Sequence, residues 1–296
     1  MNETICRFGE GEFLFGIKTT PSEETKVEDA PVAIILNAGI VHRMGPFRLH
    51  VNLARKLASK GYSTLRMDLS GIGDSEPRTG KQKVENRAEL DVRDAMKHLS
   101  ETTGAKSFVL IGLCSGAYNA HLVSVKDKRI VGGVFLDGLA FRTPGFYFRH
   151  HFLRYFRPRF WRNAIKRRIL QRKRKQGDTS SDLLAQAEFF YSESVGKDRV
   201  TNDLRNLLHR GVQMLLLYTD GCDEFCGRSQ FKEMCGLMPN DGQLQVEYYP
   251  KSEHTFRLSE NRRVACDRIA TWMESRFPAR ELEVVAHPEI QAPLSP

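Results

Sequence analysis

Apolar residues along this chain follow two rhythms. Short runs at Val32–Leu36, Ser63–Leu69, Phe108–Ile111, Ile130–Leu136, Gln213–Tyr218 and Leu244–Tyr249 have the length and continuity of strands buried within a sheet. Between them, apolar positions recur at threes and fours. Leu49, Leu53 and Leu57 line one face of a helix that starts near Pro46 and ends at Gly61. Ala88, Val92, Ala95, Met96 and Leu99 stripe a second helix, and Ala265, Ile269, Trp272 and Met273 mark the last. The first residues differ: Thr4–Thr20 alternate apolar and polar around Gly9-Glu10-Gly11, which reads as a β-hairpin at a sheet edge. Strands alternating with helices predict an α/β fold with a mostly parallel sheet covered on both faces. Active residues then belong at the carboxyl ends of the strands.

Composition narrows the organisation. With 296 residues, 41% of them hydrophobic, the chain has ample material for a large core. We read one core domain formed by residues 1–139 and 201–277, an insertion over 140–200, and a proline-bearing tail over 278–296 expected to be disordered. No apolar run approaches the roughly 20 residues of a membrane span, and no basic stretch followed by an apolar one opens the chain, so a cytoplasmic location is expected. Six cysteines, Cys6, Cys114, Cys222, Cys226, Cys235 and Cys266, show no paired C-x-x-C spacing. Cys222 and Cys226 have no second ligand pair nearby, so reduced thiols are expected, with no metal and no other cofactor.

Charge is local. Residues 142–175 hold thirteen Lys or Arg and no Asp or Glu, which leaves the rest of the chain at −4 out of a total of +9. Phe148, Phe152, Tyr155 and Phe156, then Trp161, Ile165 and Ile169, follow helical spacing around Pro158. The insertion is therefore expected to form a basic, aromatic helical cap. Its apolar face would pack on the core, and its basic face would be a solvated surface or would attract an anionic membrane or an acidic partner such as an acyl carrier protein. Peripheral contact with the inner membrane surface would follow from the membrane reading. Nucleic acid is not expected, because no recognition module accompanies the charge.

The chemistry centres on Gly112-Leu113-Cys114-Ser115-Gly116, which follows an apolar strand and opens a helix. A nucleophile elbow requires small residues two before and two after the reactive side chain, so that the backbones can approach. Centring the turn on Cys114 satisfies both positions; centring it on Ser115 would put Leu113 and Ala117 there. The expected nucleophile is thus a thiol, which needs a base and gains from the helix N-terminus. The N–H of Ser115 would be one donor of an oxyanion hole. Ala38, in the loop after the first buried strand, is chosen over Gly39 as the other because the residue nearer the strand end should face the elbow.

The elbow, the turn Asp68-Leu69-Ser70-Gly71-Ile72-Gly73-Asp74-Ser75, and the order nucleophile, acid, histidine resemble the α/β-hydrolase superfamily over roughly residues 4 to 277, the insertion apart. Asn37 to Arg48, taken with Gly112 to Ala117, is similar to a bacterial subgroup of exosortase-associated or serine-aminopeptidase-like hydrolases. A cysteine at the elbow is similar to dienelactone hydrolases. The resemblance implies that the base is His254, in the loop after the last strand, and that the acid is Asp223, in the loop after Leu215–Tyr218. Asp220 and Asp137 are the alternative acids. It assigns Asp68 and Asp74 a structural turn, while His42 and Arg48 are candidates for substrate contact or for the loop surface. A small or carrier-bound acyl substrate is expected, with hydrolysis of an ester or thioester through a covalent acyl-enzyme. The alternatives are an acyltransferase with the same triad and a non-catalytic binding module on the same fold.

Overall fold

Alternate residues of the central strands enter two different cores. In β5 (Phe108–Leu113), Phe108 and Leu110 join one apolar cluster while Val109, Ile111 and Leu113 join the other; β7 (Gln213–Thr219) divides in the same way. Such strands have no polar face, which is why they read as continuous apolar runs. The computed structural model describes residues 1–79, 84–149, 196–238 and 242–279.

The other strands are β1 (Asn2–Phe8), β2 (Leu14–Thr20), β3 (Val32–Ile35), β4 (Thr64–Asp68), β6 (Ile130–Leu136) and β8 (Leu244–Tyr249). They form one sheet in the order β1-β2-β4-β3-β5-β6-β7-β8. The β1–β2 hairpin and its pairing to β4 are antiparallel, and every other pairing is parallel. This is an α/β-hydrolase fold.

Helices cover both faces. On one side lie α1 (Leu49–Ser59) and the C-terminal helix Ser259–Arg276; on the other lie α2 (Val84–Thr103), α3 (Ser115–Lys126) and the helices Lys197–His209 and Ser229–Cys235. With α4 (Pro144–Tyr147) these last three become α5 (Lys197–His209), α6 (Ser229–Cys235) and α7 (Ser259–Arg276). The α2 stripe of Val92, Ala95, Met96 and Leu99 is buried in the first cluster, and Ile269, Trp272 and Met273 of α7 are buried in the second. Of the cap expected over 140–200, only its beginning and the start of α5 fall within the described residues; residues 150–195, and the tail from 280, lie outside them. The parallel strands bring the ends of β3, β5, β6, β7 and β8 to one edge of the sheet.

Candidate active site

At that edge Cys114 links β5 to α3 with φ 57° and ψ −120°, a conformation that costs a non-glycine residue about 1–3 kcal/mol. Hydrogen bonds hold it in place. Its N–H donates to the Leu136 carbonyl at 2.9 Å, and its carbonyl accepts from the N–H of Ala117 at 3.1 Å and of Tyr118 at 3.2 Å. The turn is tight on both sides: a Cβ on Gly112 would lie 2.1 Å from the Gly116 carbonyl carbon, and one on Gly116 would lie 2.3 Å from the Asn37 carbonyl oxygen. Both positions therefore demand glycine, and the side chain at the apex is the thiol of Cys114.

His254 reaches this apex from the loop after β8. Its Nδ1 donates to Asp137 Oδ2 at 3.0 Å, and the ring also hydrogen-bonds the Cys114 side chain. These contacts raise His254 from 6.5 to about 10: the Asp137 hydrogen bond contributes most and the Cys114 hydrogen bond next, against the opposing effect of burial. The imidazolium form is therefore favoured between the two groups.

The carboxylate facing His254 belongs to Asp137 rather than to Asp223, the partner favoured by the sequence. Asp137 directly follows β6 with φ 45° and its side chain is fully buried. Thr219, the last residue of β7, donates its N–H to Oδ1 and its hydroxyl to Oδ2, both at 2.6 Å. Three donors thus converge on one buried carboxylate. Asp223 is exposed on the loop after β7, where buried Phe225 stacks on Tyr218 with ring centroids 3.8 Å apart and pins the loop. Asp220 accepts from the Tyr248 hydroxyl at 3.0 Å. That loop meets the main chain of His254: a Cβ on Gly221 would lie 2.3 Å from the His254 nitrogen. Thr219 is a site residue the sequence alone does not single out; its one signal was a hydroxyl closing an otherwise apolar strand.

Ser115 opens α3, where the first N–H groups of a helix have no acceptor within the helix. Ala38 lies half-buried after β3, and the next residue ties this loop to the elbow, with the Gly39 N–H donating to Ser115 Oγ at 2.7 Å. Asn37 is buried; its Nδ2 donates to the Val41 carbonyl at 3.0 Å and to Asp68 Oδ1 at 3.2 Å, and its Oδ1 accepts from the Leu69 N–H at 2.7 Å. Arg43 donates to Asp68 through both its N–H and its guanidinium. The polar residues 37, 43 and 68 thus brace the loop that carries Ala38. His42 and Arg48 are exposed on the same loop.

Comparison with known proteins agrees with this architecture. The model of the family described as serine aminopeptidase, S33, matches residues 33–258. No curated protein sequence matches the chain. Among solved structures, an esterase from Pyrococcus furiosus is similar with a TM-score of 0.61 and 15% identity, covering 93% of this chain and 91% of that one. The α/β hydrolase GrgF from Penicillium gives 0.60 and 14%, covering 94% and 99%. A serine hydrolase without lid from Xanthomonas campestris gives 0.56 and 12%, covering 94% and 97%. At these identities the likeness is one of fold.

Proposed function

The chain belongs to the serine aminopeptidase S33 family and is an α/β-hydrolase enzyme, and from that premise we propose that it hydrolyses an ester or thioester through an acyl-enzyme formed on Cys114. One observation carries the reading. His254 is hydrogen-bonded on one side to a thiol at a strained elbow and on the other to a buried carboxylate held by Thr219.

In this mechanism the thiol proton resides on His254, leaving a thiolate at the N-terminus of α3, where the helix dipole favours negative charge. The sulfur attacks the acyl carbon and the carbonyl π pair moves to oxygen. That oxyanion is received by the N–H groups of Ser115 and Ala38, a kind of contact worth about 2.7–4 kcal/mol per donor. Collapse expels the leaving alcohol or thiol, which takes the proton from His254 and leaves a thioester on Cys114. His254 then removes a proton from water, the hydroxyl attacks the thioester, and the acid departs as the thiolate and imidazolium are restored. Asp137 holds the ring with Nδ1 protonated, so that the other ring nitrogen faces sulfur and substrate. Ser115 Oγ is a positioning group, since it accepts the Gly39 N–H.

Turnover of short p-nitrophenyl esters and acyl-thioesters tests the reading. Cys114→Ala is expected to lose activity by about 10³-fold or more, the scale on which removal of a triad member acts. Ser115→Ala, which deletes one hydrogen bond between loop and elbow, is expected to lose about fivefold. The reverse order of effects would make Ser115 the nucleophile and overturn the proposal.

A further inference from the structure

The loop that carries His254 backs onto a cavity of its own. Between that loop and the first turns of α7 lies a space of about 240 Å³, and none of Cys114, Asp137 and His254 lines it. Its walls are mostly apolar, formed by Tyr249 at the end of β8, by Phe256, and by Val264 and Ala265 of α7. Phe256 is 1% exposed and has φ 53°, an outlying conformation for a bulky side chain. Its N–H donates to the Glu253 carbonyl at 3.0 Å, and its carbonyl accepts from Arg262 at 2.8 Å, so the turn is held while Phe256 lines the cavity. Asn261 Nδ2 donates to the Lys251 carbonyl at 3.2 Å and joins α7 to the loop.

One polar group here is unmatched. Ser252 lines the cavity, is only 5% exposed, and its Oγ has no hydrogen-bond partner among the described residues. Its main chain is already engaged: the N–H donates to the Tyr249 carbonyl at 3.1 Å and the carbonyl accepts from the Asp220 N–H at 3.0 Å. The hydroxyl alone is left over. Buried polar groups are nearly always paired, and an unpaired one is unfavourable, so this hydroxyl points to a partner supplied from the cavity. A serine side chain can turn toward such a partner by changing staggered rotamer.

Size and charge narrow that partner. An apolar cavity of about 150 Å³ holds benzene, so this larger one takes an apolar body of that size with a polar substituent. Lys251 and Glu260, one base and one acid, are both exposed and line the same cavity, so neither sign of charge is favoured. We infer that the cavity is a second ligand site, taking a neutral molecule with an apolar body about the size of a benzene ring and one hydroxyl or carbonyl bonded to Ser252 Oγ. Ser252 and Phe256 lie two residues either side of His254, so the occupant rests against the loop that carries the base. The site does not depend on which atom attacks the substrate.

Titration of the full-length protein with benzyl alcohol, followed through the methyl resonances of Val264 and Ala265 by NMR, tests it. Saturable shifts of both are expected in the wild type. Ser252→Ala should weaken benzyl alcohol about fivefold, the scale of one hydrogen bond, and leave the affinity for toluene, which lacks the hydroxyl, unchanged. The thermal midpoint of that variant should not fall, because no hydrogen bond is lost from the fold. Val264→Phe, which fills the cavity from its exposed edge, should abolish the Ala265 shift. Ester turnover is measured separately, so failure of the site and failure of the acyl chemistry are distinguishable. Absence of saturable shifts in the wild type would overturn the inference, as would equal effects of Ser252→Ala on benzyl alcohol and toluene. Shifts confined to the surroundings of Cys114 would place the alcohol in the catalytic site and also overturn it.

Discussion

At the scale of single residues the account turns on which groups flank His254. Asp137→Asn keeps the shape but takes away the charge that fixes the ring, and by the precedent of other triads it should lower kcat by about 10³–10⁴-fold. Asp223→Asn, on the exposed loop, should stay within about twofold of wild type, well inside the usual range of surface changes; steady-state kinetics on one ester separates the two. The thiols can also be told apart. Burial pushes Cys222 up to about 12, Cys235 to about 11 and Cys266 to about 12, which suppresses their thiolates at neutral pH. Alkylation by iodoacetamide, followed by peptide mapping, should therefore favour Cys114 over these three. His254 also links the site to stability. Because its folded pKa of about 10 lies above 6.5, its contribution is fully present below pH 6.5 and is lost as pH rises toward 10. Urea midpoints for wild type and His254→Gln should converge over that window.

At the scale of elements, α1 carries a second titrating group with the opposite sign. His50 is 2% exposed, and burial first, then the neighbouring Arg66, lower it to about 4. The unfolded chain binds its proton at higher pH than the fold does, so stability is lost as pH falls from 6.5 toward 4, by about 3 kcal/mol for a shift of this size. Denaturant titrations should show that slope in wild type and lose it in His50→Gln, whatever that substitution does to the absolute midpoint. The elbow makes a steric prediction: Gly116→Ala would press its methyl against the Asn37 carbonyl, and overpacking of this kind costs about 1–3 kcal/mol. Thermal melting should register that loss together with reduced turnover. The same elements show what a sequence can reveal. The apolar runs and helical stripes located the strands and helices because burial on both faces leaves a one-dimensional trace. The two glycines of the elbow were equally visible, since close backbone approach admits nothing larger. The carboxylate that meets His254 was less visible: the sequence reading favoured Asp223, and β6 and β7 both run out into aspartate followed by glycine, Asp137-Gly138 and Asp220-Gly221. Only the lateral order of the strands and the Thr219 cradle distinguish them.

At the scale of the molecule, the sheet assembles a site from positions far apart in the chain: His254 and Asp137 are 117 residues apart, and β3, β5, β6, β7 and β8 each deliver something at the same edge. β5 presents the thiol, β6 the carboxylate, β7 the threonine that holds it, β8 the histidine loop, and β3 the backbone expected to receive the oxyanion. That division of labour explains why the fold was read more completely than the site: each strand is a local pattern, whereas the pairing of side chains at strand ends depends on the arrangement of the whole sheet. The central claim is the covalent acyl-enzyme on Cys114, and its most direct test is to mix the protein with p-nitrophenyl acetate, quench in acid within a turnover, and map the acetyl group by peptide mass spectrometry. An acetyl thioester on Cys114, absent in Cys114→Ala and accumulating when His254 is replaced only at a much reduced rate, is the predicted result. An acetyl ester on Ser115, or turnover by Cys114→Ala at the wild-type rate, would contradict the account.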